Sequence, residues 1–426
     1  MAIIGCASKI IWKMPVKRTP KVAIIGGGIG GLAAALALHR RGIEVAVYEQ
    51  SAEIKEIGAG VNMSPNALKA FRLLGVEDAM VEIGHHTKAT MARNYKSGRV
   101  IRRQENSAGG LEARFGAKFL TIHRADILDV LAGALPDNIF HLGHQCTGVA
   151  PGDRASVARF KNGREIEADI IVGADGIRSA VRASMFGAGE PRFTGCVCWR
   201  GMVPMEALRP EDRVMEMTAW WGPHGHVVHY PVRRGTLMNF VAHFDSDAWA
   251  EDSWTEECDL VELTDTFAGW NDYLHRLFRT SDKYYKWALY DRDPLKAWGR
   301  GTVTMLGDAV HPMLPYLGQG AGTASEDGCV LAELLATGPD DIAGALRAYE
   351  GLRIPRTTKI QAGSRARAKF NHLPSRFERF KRDVSMAIKT RIGSDKTMMQ
   401  SDWIYEYDVK DAAREVGEGT VQTPDG

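Results

Sequence analysis

The chain has 426 residues, 45% hydrophobic and 25% charged, with 54 basic against 52 acidic side chains. That length allows two domains or one with a large insertion. Near-neutral charge removes any general footprint for nucleic acid or a membrane surface, and no apolar run approaches the roughly eighteen residues that span a bilayer. Cys6, Cys146, Cys196, Cys198, Cys258 and Cys329 form no CxxC pair. Neither a zinc ribbon nor a dithiol redox centre is therefore indicated, and reduced thiols in a cytoplasmic setting fit best.

Residues 1–20, basic and free of acids, read as an N-terminal tail, with Lys9 and Lys13 interrupting any signal-peptide core. From Lys21 the hydrophobic period switches from strand to helix to strand around a glycine turn. Val22 to Ile25 form a continuous β-branched run that suits a strand buried on both faces. Gly26, Gly28 and Gly31 follow in GxGxxG spacing. In that pattern the first permits the tight turn, the second lets a pyrophosphate approach the backbone, and the third lets helix and strand pack closely. A helix carrying Leu32, Ala33, Leu36, Ala37 and Leu38 inward ends near His39 to Arg41, with Gly42 as its left-handed cap. A second strand, Glu44 to Tyr48, delivers Glu49 about twenty residues after the glycines, where a carboxylate accepts from both ribose hydroxyls and repels a 2′-phosphate. This stretch predicts FAD or NAD rather than NADP.

Gly58 to Gly75 reads as a glycine loop, then a helix with Ser64 as N-cap and Pro65 at its first position. The backbone of Gly58, Gly60 and Val61 can lie against a flat ring. A hairpin is expected over residues 87–104, turning at Lys96 to Gly98. A helix begins near Arg124, whose guanidinium can reach a phosphate or a ring edge, or simply face solvent. Strands follow with turns at Gly152-Asp153 and Asn162-Gly163, then GADGIRSAVR, a buried strand leading to Asp175-Gly176 and another helix. Residues of about 190 to 290 alternate and are rich in aromatics, including VVHYPV and TLMNFVAHF around a turn at Arg233 to Gly235. They predict a separate antiparallel sheet. Within HVVHYP, alternation puts His226, Val228 and Tyr230 on one face and His229 on the other. From Trp298 the parallel style returns with VTMLGD and a proline- and glycine-rich loop entering a helix. Ser364 to Arg391 reads as a basic helical face with Phe370, Phe377 and Phe380 packed inward. His224, His226 and His229 lack a carboxylate or cysteine at ligand spacing, so no metal centre is predicted.

This order yields an α/β fold in which a dinucleotide-binding layer (residues 21–86, 118–185 and 290–363) is interrupted by a mixed or antiparallel sheet (87–117 and 186–289) and followed by C-terminal helices and a tail (364–426). A second GxGxxG in strand context is missing, so any nicotinamide must bind transiently on shared surface.

Three motifs in this order, Gly26 to Gly31, GADGIRSAVR and LGDAVHPMLPYLGQGAGTASED, resemble the single-component FAD-dependent aromatic hydroxylases. WWGPHGHVVHYPV, WALYDRDPLKAWGRG and DWIYEYDV resemble the salicylate, 3-hydroxybenzoate and hydroxynicotinate hydroxylases among them. The resemblance implies the hydroxybenzoate hydroxylase fold, with the sheet as the substrate-binding part. It implies that NADH or NADPH reduces bound FAD and that O₂ then forms a flavin hydroperoxide, which hydroxylates a small hydroxylated aromatic acid. It assigns Glu49 to the adenosine ribose, Arg124 to the flavin side, Asp175 to the region shared with reduced nicotinamide and Asp308 to the ribityl chain. The backbone from Gly318 to Gly322, with Gly320 and Ala321 at its centre, would cradle the isoalloxazine. His226 and Tyr230 would contact substrate, and Tyr316 would face the flavin. An N-heteroaromatic substrate, a halogenase or epoxidase on the same scaffold, and a flavin-binding protein without catalysis stay open, as does a homodimer.

Overall fold

The structure is a computed structural model that describes residues 19–54, 59–246, 256–391 and 401–412. Most of the expected tail and Gly58 lie outside the described residues. Lys21–Ile25 sits in the middle of a five-stranded parallel sheet, paired on one side with Glu44–Tyr48 and on the other with Ile170–Gly173. Its Val22 to Ile25 are almost wholly buried, as an all-apolar run must be between two helical layers. Val303–Met305 and Phe140–His141 are the outer strands.

The turn after the first strand is dictated by sterics. Gly26 has φ +111°, and a β-carbon there would lie 2.3 Å from the carbonyl oxygen of Ala174. At Gly31 a β-carbon would lie 2.0 Å from the carbonyl oxygen of Gly26, so glycine is what lets the helix Ile29–Arg40 start against the strand. That helix is buried on all sides from Gly31 to Leu38, between the sheet and the helix Gly320–Ala336.

The second layer is an eight-stranded sheet built from residues 89–105 and 192–291. It is antiparallel except where Met217–Trp221 runs parallel to Ala89–Asn94. The strands Gly225–Val232 and Leu237–Asp245 at its centre pair His226 with His243 and Tyr230 with Asn239 across the ladder. These side chains share the face turned to the first layer, while His229 packs against Trp220 and Tyr273 on the other.

Several local expectations differ from what is observed. Ser64 stands at the N-cap of Pro65–Leu73, but its hydroxyl donates to Asn66 Oδ1 (2.7 Å) rather than capping the helix, because Gln319 and Asn66 engage it in a buried network. The C-terminal region is two helices, not one basic face. Ile342–Asn371 runs through residue 364 without a break, and His372 to Ser375 then separate it from Arg376–Arg391. Phe377 and Phe380, expected inward, are each 63% exposed, because this second helix meets the body along a different stripe. Phe370 does pack inward, edge-on to Trp221 at 5.5 Å. None of the helices among the described residues is long and apolar enough to cross a membrane.

Candidate active site

A single cavity of about 970 Å³ runs between the two layers. Ligand sites commonly measure about 300–1,000 Å³, so this one has room for an elongated cofactor and a small second molecule. Gly26, Gly28, Glu49, Gly60, Val61, Arg124, Asp175, His226, Tyr230, Asp308, Tyr316, Gly318, Gly320 and Ala321 line it, whereas Gly31 lies beneath the carbonyl of Gly26 and Gly322 packs toward Ala67.

At one end, a β-carbon on Gly28 would meet nothing within 4 Å. The open space lies at the N-cap of Ile29–Arg40, whose first turn holds no acidic residue, so free N–H groups and the positive helix end face an unopposed gap. Glu49 is fixed beside it, accepting from the N–H of Gly27 (2.7 Å) and of Ser51 (2.9 Å). Each of its carboxylate oxygens keeps a lone pair for a ribose.

In the middle, Asp308 is surrounded by protein yet open to the cavity. Burial pushes its carboxyl up, and His311 and Arg124 pull it down. Arg124 stands at the start of Arg124–Gly133, held by its own N–H donating to the carbonyl of Ala59 (2.8 Å). Asp175 also lines the cavity, fixed from behind by its own loop. Its carboxylate accepts from the Ser179 hydroxyl (2.5 Å) and the Val181 N–H (3.2 Å), closing the DG turn onto the helix Ala180–Phe186. The helix Gly320–Ala336 begins at the cavity wall with no acid in its first turn, which leaves its positive end for an anionic ring edge. An open glycine cradle, a ribose-facing carboxylate and two helix N-termini fit an FAD molecule.

At the far end, the wall is the sheet face carrying His226, Tyr230 and His243. Tyr230 is buried, and its hydroxyl donates to the carbonyl of Gly60 (2.8 Å), while the N–H of Gly60 donates to Asn239 Oδ1 (2.9 Å). Tyr230 and Asn239 thus clamp the backbone of Gly60–Met63, and Tyr230 also lines the cavity. A β-carbon on Gly60 would lie 2.6 Å from the Tyr230 ring. Gly60→Ala should therefore cost about 1–3 kcal/mol through overpacking and displace the loop, read as a lower melting temperature and weaker FAD retention.

Tyr316 donates to Cys196 Sγ (3.3 Å) and lies 5.4 Å from His226 and 5.3 Å from His243, ring centre to ring centre. His226 stacks on His243 at 4.4 Å with an interplanar angle of 3°. Burial holds His226 neutral, far below the usual histidine range, and His243, His372 and Arg367 reinforce this. His229 lies on the opposite face of the strand and His224 in the exposed turn before it, so the three histidines weighed as a metal set do not converge.

Arg102, Arg200, Arg367, His243 and Tyr405 also line this end and were not singled out in the sequence. Alternation over TLMNFVAHF could have found His243, which lies two steps of two from Asn239. Arg367 sits on a basic helix whose inward face the sequence does not distinguish.

The chain matches the family model described as FAD binding domain over residues 19–364. It is 38% identical over 373 residues to a 3-amino-4-hydroxybenzoate 2-monooxygenase of Streptomyces platensis, covering 88% of this chain and 94% of that one. It is 34% identical to a 6-hydroxynicotinate 3-monooxygenase of Pseudomonas fluorescens (81% and 90% covered) and 32% identical to a salicylate hydroxylase of Pseudomonas putida (91% and 93%). Among solved structures, a salicylate hydroxylase substrate complex superposes with a TM-score of 0.79 at 27% identity, covering 93% of this chain and 97% of that one. Klebsiella pneumoniae HpxO complexed with FAD and uric acid gives 0.79 at 29%, with 88% and 94% covered. The chain belongs to the FAD-binding domain family and, within it, to the single-component FAD-dependent aromatic-ring monooxygenases.

Proposed function

We propose that the protein hydroxylates a small aromatic acid bearing a ring hydroxyl, with NAD(P)H and O₂ as co-substrates. The observation that carries this reading is the pairing, at one end of the cavity, of a neutral histidine with a half-buried cation. His226 offers a base, and Arg367 offers a guanidinium whose titratable neighbours are Arg102 and Tyr405 rather than a carboxylate. Burial and the neighbouring Arg102 both disfavour charge on Arg367, so an incoming carboxylate relieves both. A ring anchored there by its acid group presents its hydroxyl toward His226.

Bound flavin supplies hydride acceptance and oxygen activation. The chain's residues bind it through the glycine turn, Glu49, Arg124 and Asp308, exclude water with the aromatic wall, and take the phenol proton at His226. Withdrawing that proton makes the ring electron-rich where it must be attacked. Both a benzenoid and an N-heteroaromatic acid meet these requirements, and the similarity to a 6-hydroxynicotinate 3-monooxygenase keeps the second in view.

The test is FAD-loaded protein screened for NADH and NADPH oxidation stimulated by salicylate, 3-hydroxybenzoate, 3-amino-4-hydroxybenzoate, 6-hydroxynicotinate and benzoate, with product mass as the second readout. Stimulation with a gain of one oxygen atom by a hydroxylated acid is expected, and equal turnover of benzoate would remove the phenol-activating role. Glu49→Ala should weaken FAD binding by about 1.5–3 kcal/mol, the worth of hydrogen bonds to a charged acceptor, measured by equilibrium dialysis.

A further inference from the structure

His226 does not end the hydrogen-bonded path that begins at the cavity. Its Nδ1 lies 2.7 Å from His372 Nε2, and His372 Nδ1 lies 2.6 Å from Asp245 Oδ1. Both rings are buried, whereas the Asp245 side chain is 42% exposed and stands 4.0 Å from His224, itself at the surface. The path joins the sheet to the end of the long helix, since His372 is the C-cap of Ile342–Asn371.

Hydrogen-bond bookkeeping fixes the direction of each proton. An ionised Asp245 only accepts, so His372 Nδ1 carries a hydrogen. In a neutral ring His372 Nε2 is then an acceptor, which requires His226 Nδ1 to be the donor. His226 Nε2 is left with its lone pair, on a residue that lines the cavity. The aspartate at the surface therefore sets which nitrogen of the pocket histidine is basic, through one intervening ring.

We propose that His372 and Asp245 are positioning residues forming a proton relay, which takes the substrate's phenolic proton from His226 to solvent and returns it after hydroxylation. In the forward step the phenol O–H breaks and an N–H forms at His226 Nε2. His226 Nδ1–H passes to His372 Nε2, and His372 Nδ1–H passes to Asp245 and then to water. When the product ring regains aromaticity and its oxygen is reprotonated, the same transfers run backward and both rings recover their first tautomer.

The surroundings explain why a relay is needed. His226 faces His243, His372, Tyr316 and Arg367, none of which is an anion that would steady an imidazolium. A proton taken there cannot rest. His372 is better placed to carry positive charge in passing, because Asp245 touches it and a helix C-terminus lies behind it.

This inference rests on the proposed phenolic substrate, and the experiment separates the two. FAD-loaded protein is mixed with a hydroxylated aromatic acid in weak buffer, with a pH-indicator dye and the ligand's own ultraviolet band reporting proton release and phenolate formation. Wild type should release a proton as the phenolate band appears. His372→Phe should slow that release about 10²-fold or more while binding the acid within a few-fold of wild type. Asp245→Asn, on an exposed side chain, should move the midpoint of ionisation to higher pH, and its intact flavin spectrum serves if His372→Phe fails to fold. Wild-type release kinetics in His372→Phe, or an unmoved midpoint in Asp245→Asn, would overturn the relay while leaving the substrate reading standing. A wild type that ionises no phenol in the screen would overturn both.

Discussion

Replacing Arg353 by Met is expected to destabilise the protein by about 3–5 kcal/mol, the cost of stranding buried charges by removing one partner. Arg353 is fully buried, and its guanidinium donates to Asp327 Oδ1 (2.7 Å), Glu326 Oε2 (2.7 Å) and the Tyr407 hydroxyl (2.8 Å). Neither acid touches water. Glu326 keeps Arg356 and Asn66 when Arg353 is lost, but Asp327 keeps only His311 (2.5 Å) and the N–H of Gly307 (3.1 Å). Because those two partners belong to the GD turn, the damage should reach Asp308 and show as FAD loss as well as a lower midpoint in denaturant. Arg353→Met that melts within a degree or two of wild type would refute the argument.

The same cluster sets an acid limit. Burial alone would raise the Asp327 carboxyl, yet His311 and Arg353 outweigh it and hold it down at about 2. A depressed carboxyl contributes stability that is complete above the unfolded value near 3.8 and is lost as pH falls toward 2. Wild type should therefore lose this contribution only between about pH 4 and 2, and in Arg353→Met the loss should begin at higher pH.

The opening βαβ unit was legible because each of its features has a local cause. Positive φ at Gly26, the contact at Gly31 and the buried β-branched run are all set within thirty residues of sequence, and so is the position of Glu49. The sheet face was legible too, since a period of two assigns His226 and Tyr230 to one side without knowledge of what covers it. What covers it was not. Arg367 reaches the cavity, and His372 reaches the back of His226, because of where Ile342–Asn371 packs, a fact that lies in tertiary packing and not in the pattern of a basic helix. The task of Tyr230 was hidden for the same reason, as its hydroxyl meets a carbonyl 170 residues earlier in the chain. The break at His372 to Ser375 had a signal in Pro374, and the exposed Phe377 and Phe380 show that apolar residues on a surface helix need not mark its buried stripe.

Replacing His226 by Phe is expected to lower the rate of product formation by about 10²- to 10⁴-fold, the range for loss of a positioned general base. The ring keeps its stacking surface against His243 in this variant, and the far side of the strand, with His229 packed on Tyr273, is untouched. FAD binding should accordingly change little, because nothing that holds the cofactor depends on His226, while stability should fall by about 1–3 kcal/mol as buried His372 loses its hydrogen-bond donor. What is lost is the acceptor for the phenol proton, so a bound phenol stays neutral and its ring stays poorly nucleophilic. Oxygen activated at the flavin then has no competent acceptor, and NADH consumption should continue with hydrogen peroxide, rather than hydroxylated product, accounting for most of the electrons. The deficit should shrink as pH rises toward the phenol's own ionisation, since bulk hydroxide then does what the histidine did. Stoichiometric measurement of NADH, peroxide and product across pH checks each part, and a variant that stays fully coupled at neutral pH would assign the proton to a different group.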